Sequence, residues 1–241
     1  MLIFLVSPIV IVSILSFSSA DTLMFPPPGF SLRWYERFWS MTSWWDALWI
    51  SLKVALLCTL FSTGLALPAA FALVRGRFPG KRYIYALIFS PMIVPTIISA
   101  VALYFFFGRI GANGSILAMA LGHTVLALPI AVMVICASLQ GVDRRYEMAA
   151  YSLGAGPVRT FVRITFPLIW PATVTAALFS FLTSFDELLI PMFLSGISTE
   201  TLSVMVWNSL LLEVDPMIAA VSTLFVISTA TILLIVAVLR R

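Results

Sequence analysis

The feature that most constrains this chain is a series of apolar stretches, each of about the length that crosses a bilayer. Their bounds in the sequence are about 2–18, 47–74, 83–107, 115–139, 172–194 and 217–239. A spanning helix needs roughly 20 apolar residues, so each stretch is a candidate span. Hydrophobic residues make up 61% of the chain and charged residues only 10%, which excludes a soluble globular protein. We therefore predict an all-α integral membrane protein with about six transmembrane helices, in a single domain over residues 1–241.

The first apolar stretch has a second interpretation. It ends near Ser18, Ser19 and Ala20, small residues of the kind found at a signal-peptide cleavage site. However, no basic segment precedes it and further apolar stretches follow. We therefore interpret residues 2–18 as a first span.

Basic residues are concentrated on one side of the predicted topology. Most of the 14 Lys and Arg residues lie after the second and fourth stretches and at the C-terminus, namely Arg75, Arg77, Lys81, Arg82, Arg144, Arg145, Arg159, Arg163, Arg240 and Arg241. Because Lys and Arg accumulate in cytoplasmic loops, this pattern places both termini and these two loops in the cytoplasm. The same loops account for the net charge of +4, so we expect no nucleic-acid partner.

The segment between the fourth and fifth stretches, residues 140–170, is long and has helical character. Asp143 is suited to cap a first helix, because its side-chain oxygen accepts a hydrogen bond from a free backbone N–H. Gly154 tolerates the left-handed conformation that ends many helices. Pro157 favours the first turn of a second helix, which we expect to stop before Pro167. The segment thus predicts two short helices joined at a glycine corner on the cytoplasmic surface.

This corner is expected to expose the apolar side chains of Leu153, Val158 and Phe161. Exposed apolar surface at a fixed position favours a protein partner that docks there. In the alternative interpretation, the helix pair lies on lipid headgroups and is held there by the arginines of the segment. The physical properties of the residues leave both interpretations open.

Part of this segment follows a spaced pattern made of Ala149, Ala150, Gly154, Ile164 and Pro167. The pattern resembles the EAA loop of binding-protein-dependent ABC importer permeases, and the resemblance extends over residues 45–196. Within that range, residues 51–81 and 184–196 are similar to the spermidine/putrescine-type permeases.

Two positions depart from the family's pattern. Met148 stands where the family has glutamate, with Glu147 one residue earlier, and Phe166 replaces the usual leucine before the last proline. An offset of one residue turns a helical side chain by about 100°. The sequence therefore leaves open whether Glu147 replaces the family's glutamate.

The resemblance implies a type I ABC importer transmembrane domain in the bacterial inner membrane, with residues 140–170 as its coupling loop. The residues that it implies for coupling to an ATPase are Glu147, Met148, Ala149, Ala150, Leu153, Gly154, Ala155, Gly156, Pro157, Ile164 and Pro167. The implied partners are a second homologous permease chain, two ATPase subunits and an extracytoplasmic substrate-binding protein, in membrane lipid. This chain is expected to bind no cofactor, since ATP and magnesium belong to the ATPase.

Asp186 and Glu187 lie in the predicted fifth span, where a carboxylate costs about 2.5–3.5 kcal/mol on insertion scales. In one interpretation both lie at the outer interface and pair with Arg109. In the other, at least one lines the translocation path and attracts a cationic solute; Asp186 is the candidate, because adjacent helical residues point about 100° apart. We interpret His123, in the fourth span, as a hydrogen-bonded contact between helices rather than a proton relay.

Sequence signatures of enzymes are missing from the chain. It has no H-E-x-x-H motif, no Cys/His cluster for a metal and no G-x-x-x-x-G-K-[ST] loop for ATP. We therefore expect a chain that catalyses no reaction, and the family resemblance implies a transport subunit: a permease of an ATP-driven importer that forms, with a second permease, the path for a small polar, polyamine-like solute. The alternative is an ion-gradient-driven secondary carrier or channel that acts without an ATPase. Cys58 and Cys136 fall in apolar stretches and are not expected to form a disulfide.

Overall fold

A computed structural model describes residues 2–212 and 216–239. Within these residues the chain is helical, and its extended pairing is limited to an isolated bridge between Ser18 and Phe30. The helices in chain order are α1 (Leu2–Leu15), α2 (Arg33–Ser40), α3 (Thr42–Arg75), α4 (Lys81–Phe89), α5 (Thr96–Arg109), α6 (Ile116–Gly141), α7 (Arg144–Ser152), α8 (Pro157–Thr160), α9 (Phe166–Phe185), α10 (Leu189–Leu194), α11 (Leu202–Leu212) and α12 (Met217–Leu239). The predicted all-α class is confirmed. Arg240 and Arg241 lie outside the described residues.

The residues form two compact units, of which the first combines Met1–Ser51 with Glu200–Arg241. In this unit α12 packs against α1 and α2. Its core is rich in aromatic side chains, and its buried members are Trp34, Phe38, Trp44, Ala47, Leu202, Met217, Ala220 and Val221. The Leu202 N–H donates to the Ser51 hydroxyl at 2.8 Å, which satisfies a buried backbone group at the start of α11.

The second unit is Leu52–Thr199, and its centre is the long contact between α6 and α9. The buried core here contains alanines from three helices, namely Ala66, Ala70, Ala131 and Ala176. Small side chains let helix backbones approach closely, which favours helix association in lipid, where no hydrophobic effect drives helices together. Ile135, Leu139 and Ile169 fill the space beside these alanines.

Among the described residues, three continuous helices are long and apolar enough to cross a membrane: Thr42–Arg75, Ile116–Gly141 and Pro157–Phe185. The first two confirm the predicted second and fourth spans. The third begins at α8 and continues through a π-helical turn into α9. The bent pair of Lys81–Met92 with Thr96–Arg109 adds a fourth span if it is counted as one.

The predicted third span, residues 83–107, is wrong as one continuous helix. The helical axis bends by 102° between Met92 and Thr96. Pro95 stands directly before α5, with φ of −53° and ψ of 131°, which takes its backbone out of the helical region. A proline has no N–H to continue the helical hydrogen bonds, and it disfavours helical geometry in the preceding Val94.

The expected end of the second loop helix before Pro167 is also wrong, because this helix continues into α9. The π-helical turn Phe161–Thr165 ends two residues before Pro167, and the Phe166 N–H donates to the Phe161 carbonyl, five residues earlier. This wider turn accommodates the ring and the missing N–H of Pro167 without ending the helix.

The predicted fifth span, residues 172–194, extends beyond the C-terminal end of the observed helix. The helix stops at Phe185 rather than at residue 194, and α10 starts after a break at residues 186–188. Apolar side chains on both sides of this break hide it from a hydropathy pattern, which explains why the sequence indicated one continuous stretch.

Gly122 of α6 is expected to tolerate no larger side chain. A Cβ built at Gly122 would lie 3.0 Å from Ile190 Cγ2 and 3.4 Å from Leu103 Cδ1, whereas a Cβ at Gly64 of α3 meets nothing within 4 Å. Overpacking a filled site costs about 1–3 kcal/mol. Gly122→Val should therefore lower the thermal unfolding midpoint in detergent, and Gly64→Val should leave it near that of the unmodified chain. Equal midpoints for the two variants would contradict this packing.

Candidate functional site

The glycine corner begins with a capped helix. The Asp143 carboxylate accepts the Arg145 N–H at 2.9 Å, as expected of an N-cap, and α7 follows it. α7 ends at Ser152, and Gly154, two residues later, has a φ of +81°, in the left-handed region. The two hydrogen bonds that close the corner, Ala155 N–H to Ala150 carbonyl and Gly154 N–H to Tyr151 carbonyl, are both 3.0 Å long. This paired arrangement is a Schellman motif, so the turn is set by the backbone itself.

The corner presents apolar side chains on its outside. Leu153 is 89% exposed, Val158 is 75% exposed and Met148 is 52% exposed. The expected exposure of Leu153 and Val158 is confirmed, but that of Phe161 is wrong. Phe161 is half-buried and packs edge-on against Phe71 of α3, with ring centroids 5.6 Å apart.

Glu147 faces the inside of the protein. It is 4% exposed, and its Oε1 accepts hydrogen bonds from Arg75 Nε at 3.1 Å and from Thr165 Oγ1 at 3.2 Å. Met148, one residue later, points outward. The one-residue offset in the sequence therefore separates a buried ion pair from an exposed apolar contact, as the angle of about 100° between adjacent helical residues requires.

The remaining residues implied for coupling lie along one segment. Ala150 is buried, Ala155 and Ile164 are half-buried, and the exposed members are Ala149, Gly154, Gly156, Pro157 and Pro167. Ile164 belongs to the π-helical turn and Pro167 to the first turn of α9. The structure thus brings the corner residues together on the outside, while the residues after the π-helical turn belong to the long helix.

A cavity of about 570 Å³ opens beside the corner, between the end of α3 and α7. It is lined by Phe71, Ala72, Arg75, Gly76, Arg77, Arg144, Glu147, Met148 and Tyr151. Arg75 is a member of this site that the sequence pattern alone did not indicate. Its position as the last residue of a long apolar helix is the signal that the sequence offers, and that position by itself indicates only the orientation of the chain.

Asp186 and Glu187 lie in the break between α9 and α10, not inside a helix. Glu187 Oε1 accepts the N–H groups of Leu189 at 2.9 Å and Ile190 at 3.3 Å, so Glu187 caps α10. Asp186 is exposed, and in the described part of the chain neither carboxylate forms an ion pair with Arg109. The structure thus gives Glu187 a local role and leaves Asp186 accessible; the translocation path itself stays a prediction.

His123 joins α6 to α9 beside this break. Its Nδ1 lies 2.7 Å from the Ser184 hydroxyl, and the imidazole is fully buried. The interpretation of His123 as a contact between helices is confirmed by this hydrogen bond. Cys58 and Cys136 are free, as expected. In the ranges that the structure describes, no group of three or more His, Cys, Asp or Glu side chains is placed to hold a metal ion.

Comparison with known proteins agrees with this architecture. Residues 62–241 match the family described as binding-protein-dependent transport system inner membrane component. The putrescine transport system permease protein PotI of Escherichia coli is 33% identical to this chain, over 92% of this chain and 81% of PotI. The spermidine/putrescine transport system permease protein PotC of Haemophilus influenzae is 30% identical, over 99% of this chain and 92% of PotC.

A solved structure supports the fold independently. A chain of a bacterial ABC transporter involved in the import of the acidic polysaccharide alginate superposes with a TM-score of 0.77. The two chains are 17% identical, and the superposition covers 99% of this chain and 91% of the other. The helices, the family match and the curated relatives agree: this chain belongs to the family of binding-protein-dependent transport system inner membrane components.

Proposed function

We propose that this chain is a transmembrane permease subunit of an ATP-driven bacterial importer for small polyamine-like cations. It forms the translocation path with a second homologous permease chain. Two ATPase subunits, which hold ATP and magnesium, dock on residues 140–170, and an extracytoplasmic substrate-binding protein delivers the solute. The chain contributes transport and no chemical reaction of its own.

The observation that carries this proposal is the rigid corner with its exposed apolar side chains. Leu153 and Val158 project from either side of Gly154 and are 89% and 75% exposed. A short capped helix and a Schellman motif hold them in place, so a partner meets a preformed surface. Exposed apolar side chains on a preformed surface favour a protein partner, and relatives of this chain are permease components of transport systems.

The corner is joined directly to a membrane span. Helix Pro157–Phe185 has 29 residues, which at 1.5 Å per residue corresponds to roughly 40 Å. The helix begins three residues after Gly154 and ends directly before Asp186. A displacement of the corner is therefore transmitted along a helix rather than absorbed by a loop, which is the mechanical property that coupling to an ATPase requires.

The proposed solute class rests on charge and on the relatives' names. Asp186 presents an exposed carboxylate beside the end of α9, and such a group favours a cation. The PotI and PotC permeases are named for putrescine and spermidine/putrescine transport. Polyamines carry several ammonium groups, so a carboxylate on the path is chemically suited to them.

The test is reconstitution of this chain with a second permease, an ATPase and a substrate-binding protein from its own organism. The permease pair and the ATPase are purified together, placed in liposomes with the binding protein, and assayed for uptake of labelled putrescine. We expect uptake that needs ATP and stops when the P-loop lysine of the ATPase is replaced. Uptake driven by an ion gradient in liposomes without the ATPase would instead establish a secondary carrier.

A further inference from the structure

Arg75 occupies a junction that the proposed function does not explain. It is the last residue of α3, and its side chain is only 13% exposed. Its Nε donates to Glu147 Oε1 at 3.1 Å, and its Nη2 donates to the Val142 carbonyl at 2.8 Å. Glu147 and Val142 lie within and just before α7. One guanidinium group thus bonds to residues 140–170 at two points.

The same glutamate also reaches the long helix Pro157–Phe185. Thr165 Oγ1 donates to Glu147 Oε1 at 3.2 Å, and Thr165 belongs to the π-helical turn of that helix. Both the carboxylate and the threonine are buried. A single oxygen atom of α7 therefore bonds to the end of α3 on one side and to the helix that continues into α9 on the other.

A cavity lies beside this buried junction. The cavity of about 570 Å³ lies between Phe71 and Ala72 of α3 and Met148 and Tyr151 of α7. Arg75 and Glu147 both line this cavity. A partly buried guanidinium bonded to a buried carboxylate resists separation, because either charge left alone is poorly solvated.

The neighbouring arginines differ from Arg75. Arg77 and Arg144 line the same cavity and are exposed. In the described part of the chain, neither side chain forms a hydrogen bond or an ion pair. They carry the same positive charge as Arg75 but connect no helices. Arg77 therefore serves as the matched control for the loss of an arginine at this cavity.

We propose that Arg75 is a positioning residue that links α7 to α3, so that movement of the corner reaches the α3 span as well as the α9 span. This inference rests on the proposed function, since it assumes that an ATPase moves the corner. Without the link, the corner still docks and still moves α9, but α3 no longer follows. ATP hydrolysis then continues while uptake declines.

The experiment compares Arg75→Met with Arg77→Met in the reconstituted complex. Both variants are scored for co-purification of the ATPase, for ATP hydrolysis and for putrescine uptake per ATP. Coupling between sites typically changes a binding affinity by about 5- to 150-fold, and we expect uptake per ATP to decrease by a factor of similar size for Arg75→Met alone. Association and hydrolysis should stay near wild type in both variants. Equal uptake per ATP in the two variants would overturn the proposal.

A second variant separates coupling from stability. Arg75→Met leaves Glu147 buried without its cation, so the double variant Arg75→Met, Glu147→Met removes both charges and should restore the unfolding midpoint. If the link transmits movement, uptake per ATP stays low in the double variant although the fold is restored. Recovery of uptake together with stability would show a purely structural role and overturn the inference. Failure of the wild-type chain to bind any ATPase would instead refute the proposed function.

Discussion

Gly154→Val is expected to reduce ATP-driven uptake about 5- to 30-fold, because the left-handed conformation costs a residue with a side chain roughly 1–2 kcal/mol and a β-branched residue is poorly suited to it. The φ of Gly154 is +81°, and a Cβ there meets nothing within 4 Å. The cost therefore comes from the backbone conformation of the residue itself and not from a clash with a neighbouring side chain. A valine shifts the corner out of its Schellman geometry and displaces Leu153 from the position in which a partner meets it. Uptake and co-purification of the ATPase are the measurements.

Gly156→Val is the matched control for this prediction. Gly156 lies two residues later, and a Cβ there also meets nothing within 4 Å. Its φ of −73° and ψ of 167° are values that valine adopts readily, and they suit a residue before proline. We expect this variant to retain uptake within about a factor of two, corresponding to a surface substitution of up to about 0.5 kcal/mol. Equal losses in the two variants would show that the loop tolerates no bulk, and that the backbone of Gly154 has no special role.

Asp186→Asn is expected to reduce putrescine uptake by about 10- to 100-fold, since a hydrogen bond to a charged group contributes about 1.5–3 kcal/mol. The asparagine keeps the size of the side chain and removes its charge. Asp186 is exposed, so the change leaves no unsatisfied buried group. Assembly with the ATPase should therefore stay intact while uptake declines. The measurement is uptake at several putrescine concentrations, which separates weaker recognition from slower turnover.

Glu187→Gln provides the comparison for Asp186. The Glu187 side chain caps α10 through Oε1, and the amide oxygen of glutamine can accept the same N–H groups of Leu189 and Ile190. We expect a small loss of uptake in this variant, well below that of Asp186→Asn. If Glu187→Gln proved the more damaging change, the solute would be recognised at Glu187, and the assignment of the path to Asp186 would be wrong.

The break in the third apolar stretch shows where sequence patterns stop being informative. Pro68, Pro129 and Pro171 lie inside α3, α6 and α9, which continue through them. Pro95 instead stands at a bend of 102°. Neighbouring helices can satisfy the backbone groups that a proline frees in a membrane protein, so the outcome depends on what packs around it. The sequence of each stretch does not contain that information.

The register of Glu147 is a second case of this kind. From the sequence, a glutamate one residue away from its expected position can lie on either face of α7. In the structure Glu147 faces inward, because the guanidinium of Arg75 lies there as its partner. Arg75 is the last residue of α3 and precedes Glu147 by 72 residues in the chain. A buried carboxylate without such a cation is strongly unfavourable, so the partner decides the face.

The sequence by itself determined the helical membrane class, the second and fourth spans, the N-cap at Asp143 and the turn at Gly154. These features depend on local composition and on backbone preferences within a few residues. Only the tertiary structure decided the break after Phe185, the continuous helix from Pro157 and the bond from Arg75 to Glu147. The bond from Arg75 to Glu147 joins segments 72 residues apart, because hydrogen bonds and buried charges are satisfied by whichever groups the fold brings within about 3 Å.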